Sequence, residues 1–149
     1  MEALTAALLP LLRAEEGLRL TAYDDATGRP IVPGSLIKGH PTIGIGRALD
    51  TNGITAAEAD FLLGNDVAKI AAALDANIPW WRGLSVSRQV VLAGMAFQMG
   101  AGGLMAFRNT LAMVQAGNYR GAARGMLESR WATQTPGRAA RMAQMMEAG

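Results

Sequence analysis

The chain lacks cysteine altogether and carries one histidine, His40, among 149 residues. Disulfide frameworks and thiolate metal sites are therefore excluded, and a single histidine argues against a zinc cluster. Long apolar runs are also missing, because the longest near the start, residues 4–12, is too short to cross a bilayer and contains Pro10. With 50% hydrophobic and 17% charged residues, we expect one globular domain over residues 1–149, with no metal, no cofactor and no membrane span.

Acidic residues are scarce in the second half of the chain. Residues 1–79 carry six Lys or Arg and ten Asp or Glu, a net charge of −4, whereas residues 80–149 carry eight Arg and two Glu, a net charge of +6. An arginine-rich half suggests contact with an anionic polymer or an anionic cell-envelope surface, although charge alone favours the simpler interpretation of a solvated cationic face. Without interleaved aromatic residues we expect no nucleic-acid binding.

The hydrophobic pattern divides the first half into helix, sheet and helix. Leucines at helical steps predict a helix over residues 3–16 that ends at Gly17 in a left-handed cap, with Pro10 either kinking it or starting its regular part. Glycines, prolines and short β-branched runs over residues 18–49 predict a small irregular sheet with a long loop. Thr55 and Glu58 form a capping-box pattern for a helix of about five turns that joins two lobes.

The second half is helical in pattern throughout. Residues 90–97 are apolar on every face, which predicts a buried central helix stopped at Gly100. Asn118 can cap a further helix, and Thr135 with Pro136 has the pattern of a cap and a first-turn proline for the last one. We interpret the nine methionines as adaptable core filler.

The segment E-E-G-L-R-L-T-A-Y-D-D, residues 15–25, carries the strongest chemical signal. It places Glu16 at the end of a helix and a second pair of carboxylates, Asp24 and Asp25, in a turn after a short extended run. Carboxyls on either side of a cleft are what acid/base glycoside hydrolysis needs. The negative helix end and Glu15 disfavour the ionised form of Glu16, the direction that a general acid requires. Taken alone, such a pattern is common in proteins without this activity.

The same segment, followed by P-T-I-G-I-G, resembles the catalytic segment of the bacteriophage lysozymes of glycoside hydrolase family 24, of the T-even phage type. The likeness continues with A-F-Q-M-G at residues 96–100, F-R-N-T-L at 107–111 and S-R-W-A-T-Q-T-P-G-R-A-A-R at 129–141. It implies an α+β lysozyme-like fold: a small β-sheet lobe (about 14–53), a long connecting helix (about 55–75), and a larger, mostly helical lobe (about 76–149 with the N-terminal helix). A cleft between the lobes is expected.

The resemblance also implies a reaction, hydrolysis of the β-1,4 bond between N-acetylmuramic acid and N-acetylglucosamine in peptidoglycan with inversion. Glu16 falls on the general acid, while Asp25, rather than Asp24, and Thr42 fall on the residues that position water. The carboxyl separation should then be roughly 6.5–9.5 Å. Two alternatives stay open: a lytic transglycosylase that uses Glu16 alone, and a non-catalytic peptidoglycan-binding module of a virion.

Supporting roles follow from the same resemblance. Phe97, Gln98 and Thr110 match glycan-contacting positions. Trp131 and Gln134 match a further block and could equally be packing residues. Salt bridges are expected in two places, the first from Arg138 and Arg141 to the carboxylates of the first helix. The second is a mainly structural Arg47–Asp66 pair.

The chain departs from the family pattern at an insertion over residues 29–41, about ten residues longer than in the T-even type. We interpret it as surface-loop variation or an extended glycan-binding surface, and His40 within it as an incidental loop residue. Because Glu2 follows Met1 and no Lys or Arg precedes Arg13, no secretory signal is recognisable. We therefore expect a monomeric endolysin that stays in the host cytoplasm until a membrane hole releases it, with a virion-associated role as the alternative.

Overall fold

A computed structural model describes all 149 residues, with eight helices, one 3₁₀ turn and three strands. In chain order the elements are α1 (Glu2–Glu16), β1 (Arg19–Asp24), β2 (Pro41–Gly44), β3 (Arg47–Ala48), α2 (Leu49–Asn52), α3 (Ala56–Asn77), the 3₁₀ turn (Pro79–Gly83), α4 (Val86–Met105), α5 (Arg108–Gln115), α6 (Tyr119–Leu127), α7 (Arg130–Gln134) and α8 (Pro136–Ala148). The chain divides into two compact units, Met1–Ala59 and Asp60–Gly149. This mixed helical architecture with a small antiparallel sheet confirms the expected α+β lysozyme-like fold.

In the first unit, the strands form an antiparallel sheet in the order β1-β2-β3. Tyr23 pairs with Thr42 and Arg19 with Gly44, so four steps on β1 face two on β2 and the ladder is irregular between these pairs. Such an irregularity bends and twists a strand. The predicted small irregular sheet with a long loop is therefore confirmed.

Helix α1 runs unbroken through Pro10 and ends at Gly17. The expected left-handed cap is wrong in its detail, because Gly17 has φ 71° and ψ 167°. That combination lies in a region that essentially only glycine occupies, so the backbone turns directly from helix into the extended β1. The turn places Glu16, the last helical residue, immediately before the sheet.

The capping box at the start of α3 forms as predicted. The Thr55 backbone N–H donates to Glu58 Oε2 at 2.7 Å, and the Glu58 N–H donates to Thr55 Oγ1 at 3.2 Å. Glu58 Oε1 also accepts from Arg47 Nη1 at 2.9 Å. Two orphan amide groups at the helix start are thereby satisfied, and β3 is joined to the first turn of α3.

The second unit is built on one hydrophobic core. Its fully buried side chains come mainly from α3, α4, α5, α6 and α8, and include Leu74, Leu92, Met95, Leu104, Val114, Met126 and Met146. Met146 and Met126 lie inside this cluster, with Met142 and Met145 packed against it, as the interpretation of methionine as core filler predicts. Small residues on α6 and α8, such as Ala122 and Ala139, are also fully buried and let these helices pack closely.

Helix α4 departs from the expectation that it is buried on every face. Val91, Leu92 and Met95 are buried, but Val90 is 49% and Phe97 53% exposed. Gly100 does interrupt the helix, with φ 76° and ψ 159°. The cap at Asn118 is confirmed, since its Oδ1 accepts from the Gly121 N–H.

Helix α8 begins at Pro136, so the predicted first-turn proline is confirmed. The predicted side-chain cap is wrong, because the Thr135 hydroxyl donates to the Trp131 carbonyl rather than capping α8.

No single helix has both the length and the apolar content to cross a membrane. Helices α4 and α5 pass that test only as a pair, and the pair is bent by 103°.

The end of α3 is tied to the 3₁₀ turn by Asp75. Its Oδ1 accepts from the indole N–H of buried Trp81 at 2.7 Å and from Arg82 Nε at 2.8 Å, and Oδ2 accepts from Arg82 Nη2 at 2.9 Å. The Arg82 guanidinium also lies over the Trp81 ring, 4.3 Å from its centroid. Hydrogen bonds from Arg82, and then from Trp81, lower the pKa of Asp75 from 3.8 to about 2.

A depressed carboxyl pKa in the folded state predicts acid sensitivity of the free energy of unfolding. The contribution of Asp75 should be complete above about pH 4, the unfolded value, and be lost as the pH falls towards 2. Urea unfolding of the native chain and of Asp75→Asn between pH 2 and 6 measures it. The two free energies should differ most at pH 6 and converge towards pH 2. In the control Asp66→Asn, whose carboxylate meets only Lys69 at 3.7 Å, the slope should match the native chain; a pH-independent effect of Asp75→Asn would contradict the assignment.

Candidate active site

The site is built on the short β1–β2 ladder of the first unit. Asp24 ends β1 opposite Pro41, and Thr42 follows on β2 opposite Tyr23. Asp25 is the first residue after β1, so it meets the start of β2 directly. The ladder therefore brings Asp25 and Thr42 together, although 17 positions separate them in the sequence.

Adjacent Asp24 and Asp25 have different environments. Asp24 is buried, and its carboxylate accepts from the Thr27 hydroxyl and from three backbone N–H groups, those of Ala26, Lys38 and Gly39, at 2.9–3.1 Å. These bonds, led by that from Lys38, lower the pKa of Asp24. Asp24 thus anchors the far end of the inserted loop and keeps no oxygen free for chemistry.

Asp25 is exposed and is held by the peptide groups of His40. The His40 N–H donates to Asp25 Oδ1 at 2.6 Å, and the His40 carbonyl accepts from the Asp25 N–H at 3.1 Å. Asp25 Oδ2 has no hydrogen-bond partner within its unit. One oxygen is therefore fixed by the backbone, and the other is free to accept a proton.

Thr42 is held by the same peptide unit. Its hydroxyl donates to the His40 carbonyl at 3.1 Å, which leaves the lone pairs of Oγ1 free to accept a hydrogen bond. Pro41 restricts His40 to extended backbone, which fixes the directions of the His40 N–H and C=O groups. Exposed Asp25 and buried Thr42 are thus both bonded to the backbone of His40.

Glu16 lies against the turn between β2 and β3. A Cβ built on Gly46 would lie 3.4 Å from Glu16 Oε2, so the carboxylate packs beside a bare backbone position. Gly44 and Gly46 both have φ 69°, a conformation that glycine adopts without the steric cost of a side chain. Glu16 makes no hydrogen bond or salt bridge within its unit, which leaves its carboxyl available to a ligand.

The remaining predicted residues lie in the second unit. Gln98 Oε1 accepts from the Trp131 indole N–H at 2.9 Å, so Trp131, which is buried, packs in the core and orients Gln98. Phe107 meets the Trp131 ring edge to face, with centroids 6.4 Å apart. Phe97 is half exposed one position before Gln98.

Thr110 is buried and lines an open pocket of about 510 Å³ with Asn109, Phe107 and Gly125. A Cβ on Gly125 would come within 2.8 Å of Thr110 Oγ1, so the glycine leaves room beside this hydroxyl. A neighbouring pocket of about 410 Å³ shares Phe107 and Gly125 and adds Trp131 and Gln134. The structure thus groups Thr110 with the Trp131 block.

The expected salt bridges are the weakest part of the prediction. Arg47 pairs with Glu58 at 2.9 Å, and Asp66 pairs with Lys69 at 3.7 Å, so the Arg47–Asp66 pair is wrong. Glu58 lies in the first turn of α3, whereas Asp66 is eight residues, about 12 Å, further along the helix. Arg138 and Arg141 lie on α8 and have no carboxylate partner within the second unit, and their pairing with the first helix stays a prediction.

Sequence reasoning missed the part played by His40, which was interpreted as incidental. Its side chain also takes part in a contact, since Nδ1 lies 2.8 Å from Asp50 Oδ2 on α2. The signal present in the sequence was the run Gly39, His40 and Pro41 directly before Thr42. Pro41 restricts the backbone of His40, and Gly39 allows the Asp25 carboxylate to approach closely. That approach depends on a pairing across 15 positions, which sequence spacing does not reveal.

Comparison of the sequence with known protein families gives a match that covers most of the chain. The sequence model of the family described as phage lysozyme matches residues 13–144. The chain belongs to the phage lysozyme family. The matched range includes Glu16, Asp25 and Thr42, and the family resemblance inferred from residues 15–25 is thereby confirmed.

Relatives of this phage lysozyme family member include both short and long proteins. The pre-baseplate central spike protein Gp5 of Enterobacteria phage T4 is 34% identical over 93% of this chain, which corresponds to 27% of the spike protein. Probable T4-type lysozyme 1 of Dictyostelium discoideum is 24% identical over 93% of this chain and 92% of its own length. Peptidoglycan hydrolase gp36 of Pseudomonas phage phiKMV is 35% identical over 83% of this chain and 13% of its own length. The chain thus spans only part of two of these three relatives.

Gly39 gives a direct test of how Asp25 is held. A Cβ at this position would collide with Asp25 Oδ1 and lie 2.8 Å from the Ala26 nitrogen. We expect Gly39→Ala to displace the Asp25 carboxylate, to shift the His40 amide proton to higher field, and to lower the free energy of unfolding by about 1–3 kcal/mol. Backbone NMR and urea unfolding measure these effects.

The matched control is Gly64→Ala on α3, where a Cβ meets nothing within 4 Å. It should leave the His40 amide unchanged and should not destabilise the chain, because alanine favours helix over glycine. An unmoved His40 amide in Gly39→Ala would show that Asp25 is not held as described.

Proposed function

We propose that this phage lysozyme family member hydrolyses the β-1,4 bond between N-acetylmuramic acid and N-acetylglucosamine in peptidoglycan, with inversion at the anomeric carbon. The observation that carries the proposal is the pair of backbone groups of His40: its N–H binds Asp25 Oδ1, and its carbonyl binds both the Asp25 N–H and the Thr42 hydroxyl. An inverting glycosidase needs such a water-holding pair and a separate acid. Glu16 at the other end of β2 supplies the acid.

Each residue then has one step. The Glu16 carboxyl gives its proton to the glycosidic oxygen as the bond from that oxygen to the anomeric carbon breaks. Water attacks the anomeric carbon from the opposite face and gives a proton to Asp25 Oδ2. Thr42 Oγ1 accepts a hydrogen bond from the second water O–H, which directs the oxygen lone pair towards the sugar. The products are two sugar chains, one with a new reducing muramic acid end.

The dimensions of the sheet suit this mechanism. Thr42 and Gly44 are two residues apart on β2, a distance of about 7 Å at the rise of a strand. Asp25 lies at the Thr42 end of β2, and Glu16 lies beside the turn that follows Gly44. Inverting glycosidases keep their two carboxyls roughly 6.5–9.5 Å apart so that a water fits between them, which supports assigning the two roles across this strand.

The names of the relatives support peptidoglycan as the substrate. One is a peptidoglycan hydrolase and another a probable lysozyme.

The names of the relatives also bear on where the protein acts, because one of them, Gp5, is named as a spike protein. We propose an endolysin role in host lysis with a virion-associated role as the second candidate, which that similarity favours. Mass spectrometry of purified virions distinguishes the two, since only a virion component is found in intact particles.

The mechanism predicts separate effects for the two carboxylates. Glu16→Gln should abolish soluble products from purified peptidoglycan, because it removes the proton donor. Asp25→Asn should lower the rate by about 10²–10⁴-fold, the usual contribution of a general base. Mass spectrometry of the products checks both variants against the native chain, which should release reducing muramic acid ends.

The control is Asp60→Asn, which changes an exposed carboxylate to an amide outside the first unit and should keep the native rate. Anhydro-muramic ends insensitive to Asp25→Asn would instead identify a lytic transglycosylase. Binding to peptidoglycan without any turnover would leave only a non-catalytic binding module.

A further inference from the structure

His40 is the only histidine in the chain, and the proposed mechanism does not use its side chain. Its imidazole Nδ1 lies 2.8 Å from Asp50 Oδ2, and about half of each side chain is exposed. Asp50 lies in the first turn of α2, which follows β3 directly. The contact therefore joins the end of the inserted loop to the far side of the sheet.

The backbone of the same residue makes three hydrogen bonds to the proposed water-holding pair. They join the His40 N–H to Asp25 Oδ1, the Asp25 N–H to the His40 carbonyl, and the Thr42 hydroxyl to the same carbonyl. A rotation of the His40 peptide groups would move both residues at once. The side chain of His40 is thus placed to control the orientation of Asp25 and Thr42 without touching substrate.

We propose that His40 and Asp50 are a positioning pair, an inference that rests on the proposed function and deepens it. Their side-chain contact holds the His40 peptide groups in the orientation that sets Asp25 and Thr42 for water activation. Positioning of reacting groups is worth large rate factors, and small displacements are costly. The pair acts through Asp25 and Thr42 and makes no contact with the reacting atoms.

The charges around His40 make this device sensitive to pH. The charged groups that face the imidazole are Asp50 on α2 and Asp25 after β1. The hydrogen bond to Asp50, followed by the attraction to its charge, raises the pKa of His40 above 6.5, and the same bond lowers the pKa of Asp50. A raised histidine pKa means that the ionic contact is complete below about pH 6.5 and is lost as the pH rises through the folded value. Above it a neutral imidazole can keep only the weaker hydrogen bond.

The test separates positioning from general stability. His40→Ala and Asp50→Ala should each lower kcat about 10-fold or more with KM unchanged, and the double variant should lose no more than either single one, because the two side chains act as one contact. Asp50→Asn keeps an acceptor for Nδ1 but removes the charge. Its kcat should lie above that of Asp50→Ala, near the level that the native chain reaches once His40 is neutral, and should lose the fall that the native chain shows as His40 deprotonates.

Because the chain has one histidine, proton NMR follows its titration directly. We expect the raised pKa of the native chain to match the midpoint of the kcat profile, and the pKa to be lower in Asp50→Asn, where only the Asp25 charge still raises it. Glu147→Gln, which removes the charge of an exposed carboxylate 3.7 Å from Arg120, is the matched control and should change neither kcat nor the titration. Melting temperatures show that each variant is folded at the assay temperature.

Two sets of results overturn different claims. Full activity in Glu16→Gln would overturn the proposed function itself. The positioning pair alone would be overturned if Glu16→Gln is inactive and any one of three results is found. These are native kcat in His40→Ala, additive losses in the double variant, or an unchanged titration in Asp50→Asn.

Discussion

The peptide groups of His40 are the constraint on which the proposed site depends. One N–H and one carbonyl form three hydrogen bonds, to the carboxylate and amide of Asp25 and to the hydroxyl of Thr42. The local sequence serves this contact, because Gly39 leaves room for the Asp25 carboxylate and Pro41 restricts the backbone of His40. A flexible surface loop would make a poor platform for catalysis, and these restraints together with the bonds from Asp24 hold the loop end firmly.

Neighbouring Asp24 and Asp25 show how environment separates two identical side chains. Asp24 accepts four hydrogen bonds, which lower its pKa and keep it ionised as an internal anchor. Asp25 is exposed, and only one of its oxygens is bonded. Asp24 ends β1 and Asp25 begins the loop that follows, and their carboxylates accept from the adjacent N–H groups of Gly39 and His40. The charge of Asp24 contributes to structure, while that of Asp25 is the one that the proposed mechanism uses.

Local patterns predicted most of the fold. The Thr55–Glu58 capping box, the Asn118 cap and the irregular sheet all depend on residues a few positions apart, and all three form. Contacts between residues far apart in the sequence were harder to predict. Arg47 pairs with the nearer Glu58 rather than Asp66, because a helix separates those two carboxylates by about 12 Å along its axis. The half-exposed Phe97 and Val90 could not be recognised from an apolar run that gives no direction of burial.

The candidate site was predicted in the same uneven way. Family resemblance predicted roles for Glu16, Asp25 and Thr42 and favoured Asp25 over Asp24, and these roles stay predictions. The importance of His40 could not be predicted, since it rests on pairings with Asp25 and Asp50 that only the folded sheet creates. Because His40 lies in the insertion, it has no counterpart in the family pattern. Its role is therefore inferred only from its contacts with Asp25, Thr42 and Asp50.

The central claim is that Asp25 and Thr42 activate a water for direct displacement, with Glu16 as the acid. The most direct test determines the anomeric configuration of the first products. Proton NMR spectra are recorded in the first minutes after enzyme is added to a soluble peptidoglycan oligosaccharide. Inversion of the β-linkage predicts that the α-anomer of the new reducing end forms first and then equilibrates. Initial formation of the β-anomer would contradict the account, because it requires a covalent intermediate or substrate assistance in place of a water held by Asp25 and Thr42.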